Sequence, residues 1–439
     1  MAVNRVKMLD ERTNHEEIEF GAMDQISKLP DPIIHHILSF LPTIEVVRMS
    51  LLSKRWRRMW FSVQTLNLCE MRFQSGGKAQ FNKFVDRCLK RRKISRHYLD
   101  DSSITRFKLD MSYCGRRSRV ERWLNFVAKN KLEELHLCIT TVTRYKGQFY
   151  NLPEAIFNVQ SLTRLKLDGL KIDGPVQVRL PSLKLLFLEN IHGLNDRSFE
   201  DLLINCPSLE KLVLKECKDL SSLQVSSSSL KSFDVDLPLS HQTIKIEAIN
   251  LRSLLIRYCC KISLTACVSL KHLSLFYVQL DDRWFKEYIC GYSLDSLTLH
   301  ECYAWEHINL KSQHLKNLVI CKRLRIEVHD IKIDTPNLVS FTYTTWGVEN
   351  SNISLISPNL LVCDVNIVGC HTYNSNWYGN LMRLLSAISC SKNICLHVDS
   401  DKHFSFALAY LRACEGQDIP STIEEFRPKK HLPLAFTFS

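Results

Sequence analysis

The sequence predicts an α+β solenoid: a three-helix module at the start, then a horseshoe of stacked repeats with a parallel sheet on its concave face. Three observations carry this. An apolar unit, L-x-x-L-x-L, returns along most of the chain at intervals of roughly 20 to 30 residues. Residues 24–62 show instead the one-face spacing of apolar side chains that marks short helices. A chain of 439 residues is too long for one ordinary compact core, so an elongated array or several domains must bury its 45% hydrophobic content.

The clearest copies of the unit are Leu162, Leu165, Leu167; Leu183, Leu186, Leu188; Leu209, Leu212, Leu214; Leu270, Leu273, Leu275; and Leu294, Leu297, Leu299. Degenerate copies include Ile104, Phe107, Leu109 at one end and Leu360, Cys363, Val365 at the other. This period is that of leucine-rich repeats. Offsets three and five put the last two apolar residues on one face of a short strand, and the first turns in ahead of it. A single strand cannot bury its own leucines, so neighbours must stack. Each buried leucine then contributes about 1.5–3 kcal/mol. Cys217, Cys259 and Cys302 each follow a last apolar residue by three positions, where such solenoids line the turn with Asn or Cys. Residues 198–204 and 282–289 read as helical, and the uneven spacing predicts a mixed helix-and-loop convex side. Side chains between the leucines face a target, with Lys166, Phe187, Val213 and Lys271 as candidates. The late aromatics Tyr343, Trp346, Tyr373, Trp377 and Tyr378 suit either a binding patch or a terminal cap.

In the N-terminal module, Pro32 suits a first helical turn, and Ile33, Ile34, Ile37, Leu38 and Leu41 follow at helical spacing until Pro42 ends the run. A second helix can start at Thr43. Ser53 caps a third, with Trp56, Met59 and Trp60 along one side and Lys54, Arg55, Arg57 and Arg58 in water. Three short helices cannot enclose so many large side chains, so a partner or the array must cover some of them.

Leu29-Pro30, the run Ile37-Leu38-Ser39-Phe40-Leu41-Pro42 and the closing Ser53-Lys54-Arg55-Trp56 together resemble an F-box. Followed by leucine-rich repeats punctuated by Leu180-Pro181-Ser182-Leu183 and Cys206-Pro207-Ser208-Leu209, it resembles the plant F-box/LRR group, some of whose members end in an FBD segment. The resemblance implies a substrate-recognition subunit of an SCF (Skp–cullin–F-box) ubiquitin ligase. Its F-box docks on a Skp-family adaptor, which joins it to cullin and RING subunits, and its repeats bind an unknown target protein. Carried over by position in the motif, adaptor contact falls to Leu29, Pro30, Ile33, Ile34, Ile37, Leu38, Leu41, Pro42, Val46, Val47 and Trp56. No cofactor is implied, although the auxin-receptor branch of this group holds an inositol phosphate under its solenoid. Two other readings stay open: an interaction scaffold that meets the adaptor without forming a ligase, and a basic repeat protein that binds nucleic acid.

The chemistry of the chain agrees with a receptor that has no catalytic residue of its own. No phosphate loop, nucleophile elbow or zinc-helix motif occurs, and no C-x-x-C pair groups the 17 cysteines as metal ligands. The first residues lack the apolar core of a secretory signal and no run is long enough to cross a membrane, so an intracellular site in nucleus or cytoplasm is expected. The cysteines are then small buried hydrophobes. Net charge is +12, concentrated around Lys90, Arg91, Arg92, Lys93 and Arg96. Such a run reads as a solvated face, an acidic-partner surface or a weak nuclear-import signal; without interleaved aromatics it argues little for nucleic acid. The expected organisation is a disordered tail over 1–23, F-box over 24–62, linker and cap over 63–100, repeats over 101–370 and a C-terminal cap over 371–439, with residues 381–398 as the start of an FBD-like segment.

Overall fold

The computed structural model describes residues 28–73, 77–95, 103–113, 117–141, 149–173, 178–237, 243–289, 291–304, 307–322, 330–346, 352–368, 375–398 and 423–428. The expected N-terminal tail, Arg96, Tyr373 and Tyr378 lie outside the described residues or side chains. The chain divides into two compact units, Met1–Leu162 and Thr163–Ser439.

In the first unit, α1 (Asp31–Phe40), α2 (Thr43–Met49) and α3 (Lys54–Ser62) precede β1 (Thr65–Cys69), α4 (Gly77–Ser95), β2 (Arg106–Tyr113), α5 (Arg117–Ala128) and β3 (Glu134–Thr141). Pro30 and Pro42 stand immediately ahead of α1 and α2. The Ser53 side chain accepts the Trp56 backbone N–H at 3.2 Å, the cap that the sequence predicts for α3. β1, β2 and β3 run parallel, with Leu66, Phe107 and Leu135 in register and Leu68, Leu109 and Leu137 two residues on. Residues 63–100, expected as linker and cap, therefore contain the first strand of the array. Val63, Leu66 and Leu68 are a further copy of the apolar unit, and all three are buried.

The second unit carries one parallel sheet from Arg164–Asp168 to Ile423–Pro428, each strand paired with the next. Burial alternates along most of its strands, as in Ser296–His300 and Ser340–Trp346, with Val213 and Cys321 buried out of turn. The second and fourth residues point into the core, leaving the first, third and fifth on an open face. The sheet continues past residue 370 into Asn393–Val398, where Ile394, Leu396 and Val398 are buried.

The opposite layer differs from the expected helix and loop. Ser222–Ser226, Thr243–Glu247 and Lys261–Thr265 form a second parallel sheet, and His307–Lys311, Asp330–Asp334 and Asn352–Ile356 form a third. Repeat length explains this. Where successive units start 26 or 24 residues apart, at 183 to 209 and 270 to 294, the return segment holds the helix Asp196–Ile204 or the helical run 282–289. Where they start 19 to 23 residues apart it is a strand. A strand advances about 3.3 Å per residue and a helix about 1.5 Å, so the shorter segments must extend to cross the same width.

The turn leaving the main sheet is also repeated. Gly169, Asn190, Glu216, Tyr258, Tyr277 and Glu301 each follow a strand directly and have φ between 51 and 73°. Each donates its N–H to the carbonyl that ends the next strand, as Asn190 does to Lys215 at 3.0 Å and Glu216 to Asp236 at 2.8 Å. Only the first of the six is glycine, so the others hold a conformation that costs an L-residue about 1–2 kcal/mol. Glu216→Gly is expected to be neutral to stabilising by up to about 1 kcal/mol, since relief of this strain exceeds the unfolded-state entropy that glycine adds. Glu216→Val should destabilise by about 1 kcal/mol, because β-branching disfavours the same φ. Denaturant unfolding of the two variants measures both.

Just beyond that turn sit the predicted cysteines. Cys217 and Cys302 are buried, and each thiol reaches the carbonyl of the preceding strand, Leu188 at 3.8 Å and Leu275 at 3.4 Å. Burial pushes the Cys217, Cys259 and Cys302 thiols up to about 12, so they stay protonated and serve as packing groups. Cys260 and Cys390 depart from the expectation of buried thiols, being exposed. Among the described residues no helix is long and apolar enough to cross a membrane.

Candidate protein-interaction surfaces

On α1, two apolar stripes lie side by side. Ile34 and Leu38, four residues apart, are buried against the other helices. Ile33, Ile37 and Phe40, at spacings of four and three, stay open to solvent at 47%, 36% and 72% exposure. Leu51 and Leu52, in the turn after α2, are 75% and 69% exposed. Large apolar side chains left out in such a run mark an interaction site.

The predicted adaptor-contact set therefore divides. Pro30, Ile33 and Ile37 are exposed, and Leu29, Leu41, Pro42 and Val47 are partly so. Ile34, Leu38, Val46 and Trp56 are corrected: at 2% exposure or less they form the inner core of the three helices, because each faces inward at its place in its helix. Phe40, Leu51 and Leu52, all exposed, were not in the expected set. Helical phase was the available signal for Phe40, which continues the Ile33–Ile37 stripe. Arg55, expected in water, instead ties α3 to the start of α1. Its Nε donates to the Asp31 carboxylate at 2.9 Å and its guanidinium to the Leu29 carbonyl at 2.5 Å. His35 meets the Ser62 hydroxyl at 2.9 Å and His36 packs edge-on to Phe40 at 4.9 Å, so both neighbouring histidines have local roles.

In the basic run, Lys90, Arg91 and Lys93 are exposed but Arg92 is not. Its guanidinium is fully buried, donates to the Phe61 and Val63 carbonyls at the end of α3, and lies 4.7 Å from the Trp60 ring centre. Burial pulls its pKa down to about 10, still charged at neutral pH. A cation at a helix C-terminus satisfies carbonyls that have no partner inside the helix. Between α4 and α5 a groove of about 1000 Å³ is lined by Lys90, Lys93, Arg122 and Lys129 around Leu89, Trp123 and Phe126.

The open face of the second unit's main sheet is the other candidate surface. Lys166 and Phe187 are register partners at the centre of adjacent strands, with the Lys166 and Lys215 ammonium groups 5.6 and 5.4 Å from the Phe187 ring centre. Val213, the next residue in that row, is a correction: it is buried between the larger side chains around it. Lys271 is another. It precedes its strand rather than lying within it, and its ammonium donates to the Ser293 carbonyl at 2.9 Å.

Along the strand ends the face changes character. Asp168, Glu189, Lys215, Asp236 and Arg257 form a row of charges; burial and the neighbouring Asp168 push the Glu189 carboxyl up, and Arg257 reaches Asp236 at 3.6 Å. Phe276 and His300 continue that row, 5.3 Å apart, with Arg257 4.9 Å from the Phe276 ring centre. Tyr258 and Tyr277, the left-handed turn residues beside them, stack at 4.9 Å with planes 6° apart. Burial lowers the His300 pKa, keeping the imidazole neutral. This aromatic edge was not foreseen; the Arg-Tyr and Phe-Tyr pairs at equivalent repeat positions were the signal. The late aromatics resolve differently. Tyr343 and Trp377 are buried and belong to the core, which answers the choice between patch and cap for those two.

Residues 26–67 match the F-box domain family, and residues 120–269 match the family described as FBD-associated F-box protein At5g56370, LRR repeats. This chain carries an F-box and, behind it, leucine-rich repeats similar to those of plant F-box/LRR proteins. Similar curated proteins of Arabidopsis thaliana include F-box/LRR-repeat protein 13, 34% identical over 213 residues, 48% of this chain and 46% of the relative. F-box/FBD/LRR-repeat protein At1g78750 is 31% identical over 222 residues, 48% of this chain and 46% of its own. FBD-associated F-box protein At4g10400 is 32% identical over 227 residues, 51% of this chain and 53% of its own. The matched region thus spans about half the length of these relatives. The F-box match takes in all of α1 to α3 and the first part of β1, so the exposed Ile33–Phe40 stripe belongs to the F-box itself.

Proposed function

We propose that this chain is the substrate-recognition subunit of an SCF-type ubiquitin ligase: the F-box docks a Skp-family adaptor, and through it cullin and RING subunits, while the repeats hold a target protein. The observation that carries this is the outer stripe of α1, an apolar surface open to water beside a fully packed inner stripe. Helices with two apolar faces and one internal core need a partner for the second. The open sheet face, with Lys166, Phe187, Arg257, Tyr258, Phe276 and Tyr277, supplies aromatic and arginine anchors of the type that dominate protein interfaces. Such a subunit works by position, holding target near a charged conjugating enzyme, and contributes no catalytic residue. Docking needs no cofactor, and the assembly operates inside the cell, in nucleus or cytoplasm.

Co-expression of the full chain with a Skp-family adaptor, a cullin and a RING subunit tests the proposal. The expected result is a complex containing all four chains. Capture of adaptor without cullin would favour an interaction scaffold, and failure to capture adaptor would remove the ligase reading.

A further inference from the structure

His300 and Cys321 are register partners at the ends of adjacent strands, and Glu301 follows His300 directly. One donor atom from each residue, an imidazole nitrogen, a carboxylate oxygen and a thiol sulfur, lies within 4.8 Å of the other two. The backbone holds the three together: Glu301 is in the left-handed region at φ 51° and its N–H donates to the Cys321 carbonyl at 2.7 Å. The imidazole is flanked by Phe276 at 5.3 Å and Tyr277 at 5.8 Å, and Cys321 is buried. Nothing in the F-box reading uses this cluster.

We propose that His300, Glu301 and Cys321 form a zinc site on the open sheet face, with a fourth position left for water or a donor atom of a bound chain. Zinc takes nitrogen, sulfur and oxygen donors together at about 2.0–2.3 Å in tetrahedral geometry. Donors around such an ion stand roughly 3.3–3.8 Å apart, so side-chain rotation of about 1 Å closes the cluster. Calcium and magnesium, which demand oxygen donors, do not suit a thiol and an imidazole. The thiolate and carboxylate together balance the charge of the ion, and the thiol proton passes to solvent as the S–Zn bond forms. Of the neighbouring cations, Arg257 is already directed to Asp236 and Phe276. Bound there, the ion would link two adjacent repeats beside the aromatic edge.

Titration of the full-length chain with Co2+, a spectroscopic stand-in for zinc, tests the site, and its outcome is independent of adaptor binding. One equivalent should produce a thiolate-to-metal charge-transfer band in the near ultraviolet and the visible bands of a tetrahedral ion, both removed by added Zn2+. His300→Ala and Cys321→Ser should each abolish the charge-transfer band or weaken binding by more than about 100-fold, beyond what loss of a supporting group costs. Cys260→Ser with Cys390→Ser, which removes two exposed thiols elsewhere, should leave the band intact. A band that survives Cys321→Ser and His300→Ala, or no band at millimolar Co2+, overturns the proposal. Circular dichroism of the metal-free variants checks folding, and His300→Ala gives a reading if Cys321→Ser does not fold.

Discussion

Changing Ile33, Ile37 and Phe40 together to serine is expected to reduce adaptor capture by at least about 100-fold while leaving the thermal midpoint of the chain nearly unchanged. The three side chains are exposed at 47%, 36% and 72%, so the free chain loses little packing when they become polar. In a docked complex the same side chains would sit at an apolar interface centre, where a few anchors carry most of the binding free energy and each contributes on the order of 2 kcal/mol. The inner stripe should give the opposite pattern. Trp56→Ala, at a 1% exposed position in the helical core, should destabilise the module by about 3–5 kcal/mol and lose adaptor binding only through unfolding. Isothermal titration with purified adaptor, beside thermal unfolding of each variant alone, separates the two effects. Full adaptor affinity in the serine triple variant would show that the outer stripe is not the docking surface.

Arg92→Ala should cost about 3–5 kcal/mol, as much as truncating a core tryptophan. Its guanidinium is fully buried and donates to two carbonyls, those of Phe61 and Val63, which end α3 and have no helical partner. Truncation leaves the buried Val63 carbonyl and the part-buried Phe61 carbonyl without this donor, at about 1–3 kcal/mol each, and opens a cavity beside Trp60. Arg92→Lys should recover only part of the loss, since an ammonium cannot span two acceptors as a planar guanidinium does. Exchange of the neighbouring exposed Arg91 for alanine should change stability by less than about 0.5 kcal/mol. Denaturant unfolding of the three variants gives the comparison, and equal effects at 91 and 92 would refute the assigned role of Arg92.

Much of the fold was legible because the repeat unit combines two periods. Offsets of three and five specify both the strand and the inward-facing side, so copies such as Leu183, Leu186, Leu188 landed in register with Leu209, Leu212, Leu214. Copies with a weak first residue escaped notice. Val63, Leu66, Leu68 was absorbed into a linker, and Ile394 with Leu396 follows a polar Ser391 that is nonetheless buried. The opposite layer was misjudged because helix or strand there depends on how many residues remain to cross a fixed width, and local propensity says little about it.

The candidate surfaces were half legible. Residue types identify apolar side chains in the F-box, but which stripe of α1 is inside depends on where α2 and α3 pack. Ile33 and Ile34 are identical in chemistry and adjacent in sequence, yet one is 47% exposed and the other 0%. Arg92 and Arg91 differ in the same way, as do Val213 and Phe187 on the sheet.

The amino-acid sequence by itself determined that this chain starts with an F-box, continues as stacked leucine-rich strands, and buries its regular leucines, because those features are written in local spacing and residue type. Only the tertiary structure decided which apolar residues stay open to a partner, that Arg92 serves as an internal clamp, and that His300, Glu301 and Cys321 stand together. These are properties of neighbours brought close by stacking, and no local pattern encodes a distance between two strands whose order and phase are set by the packed core.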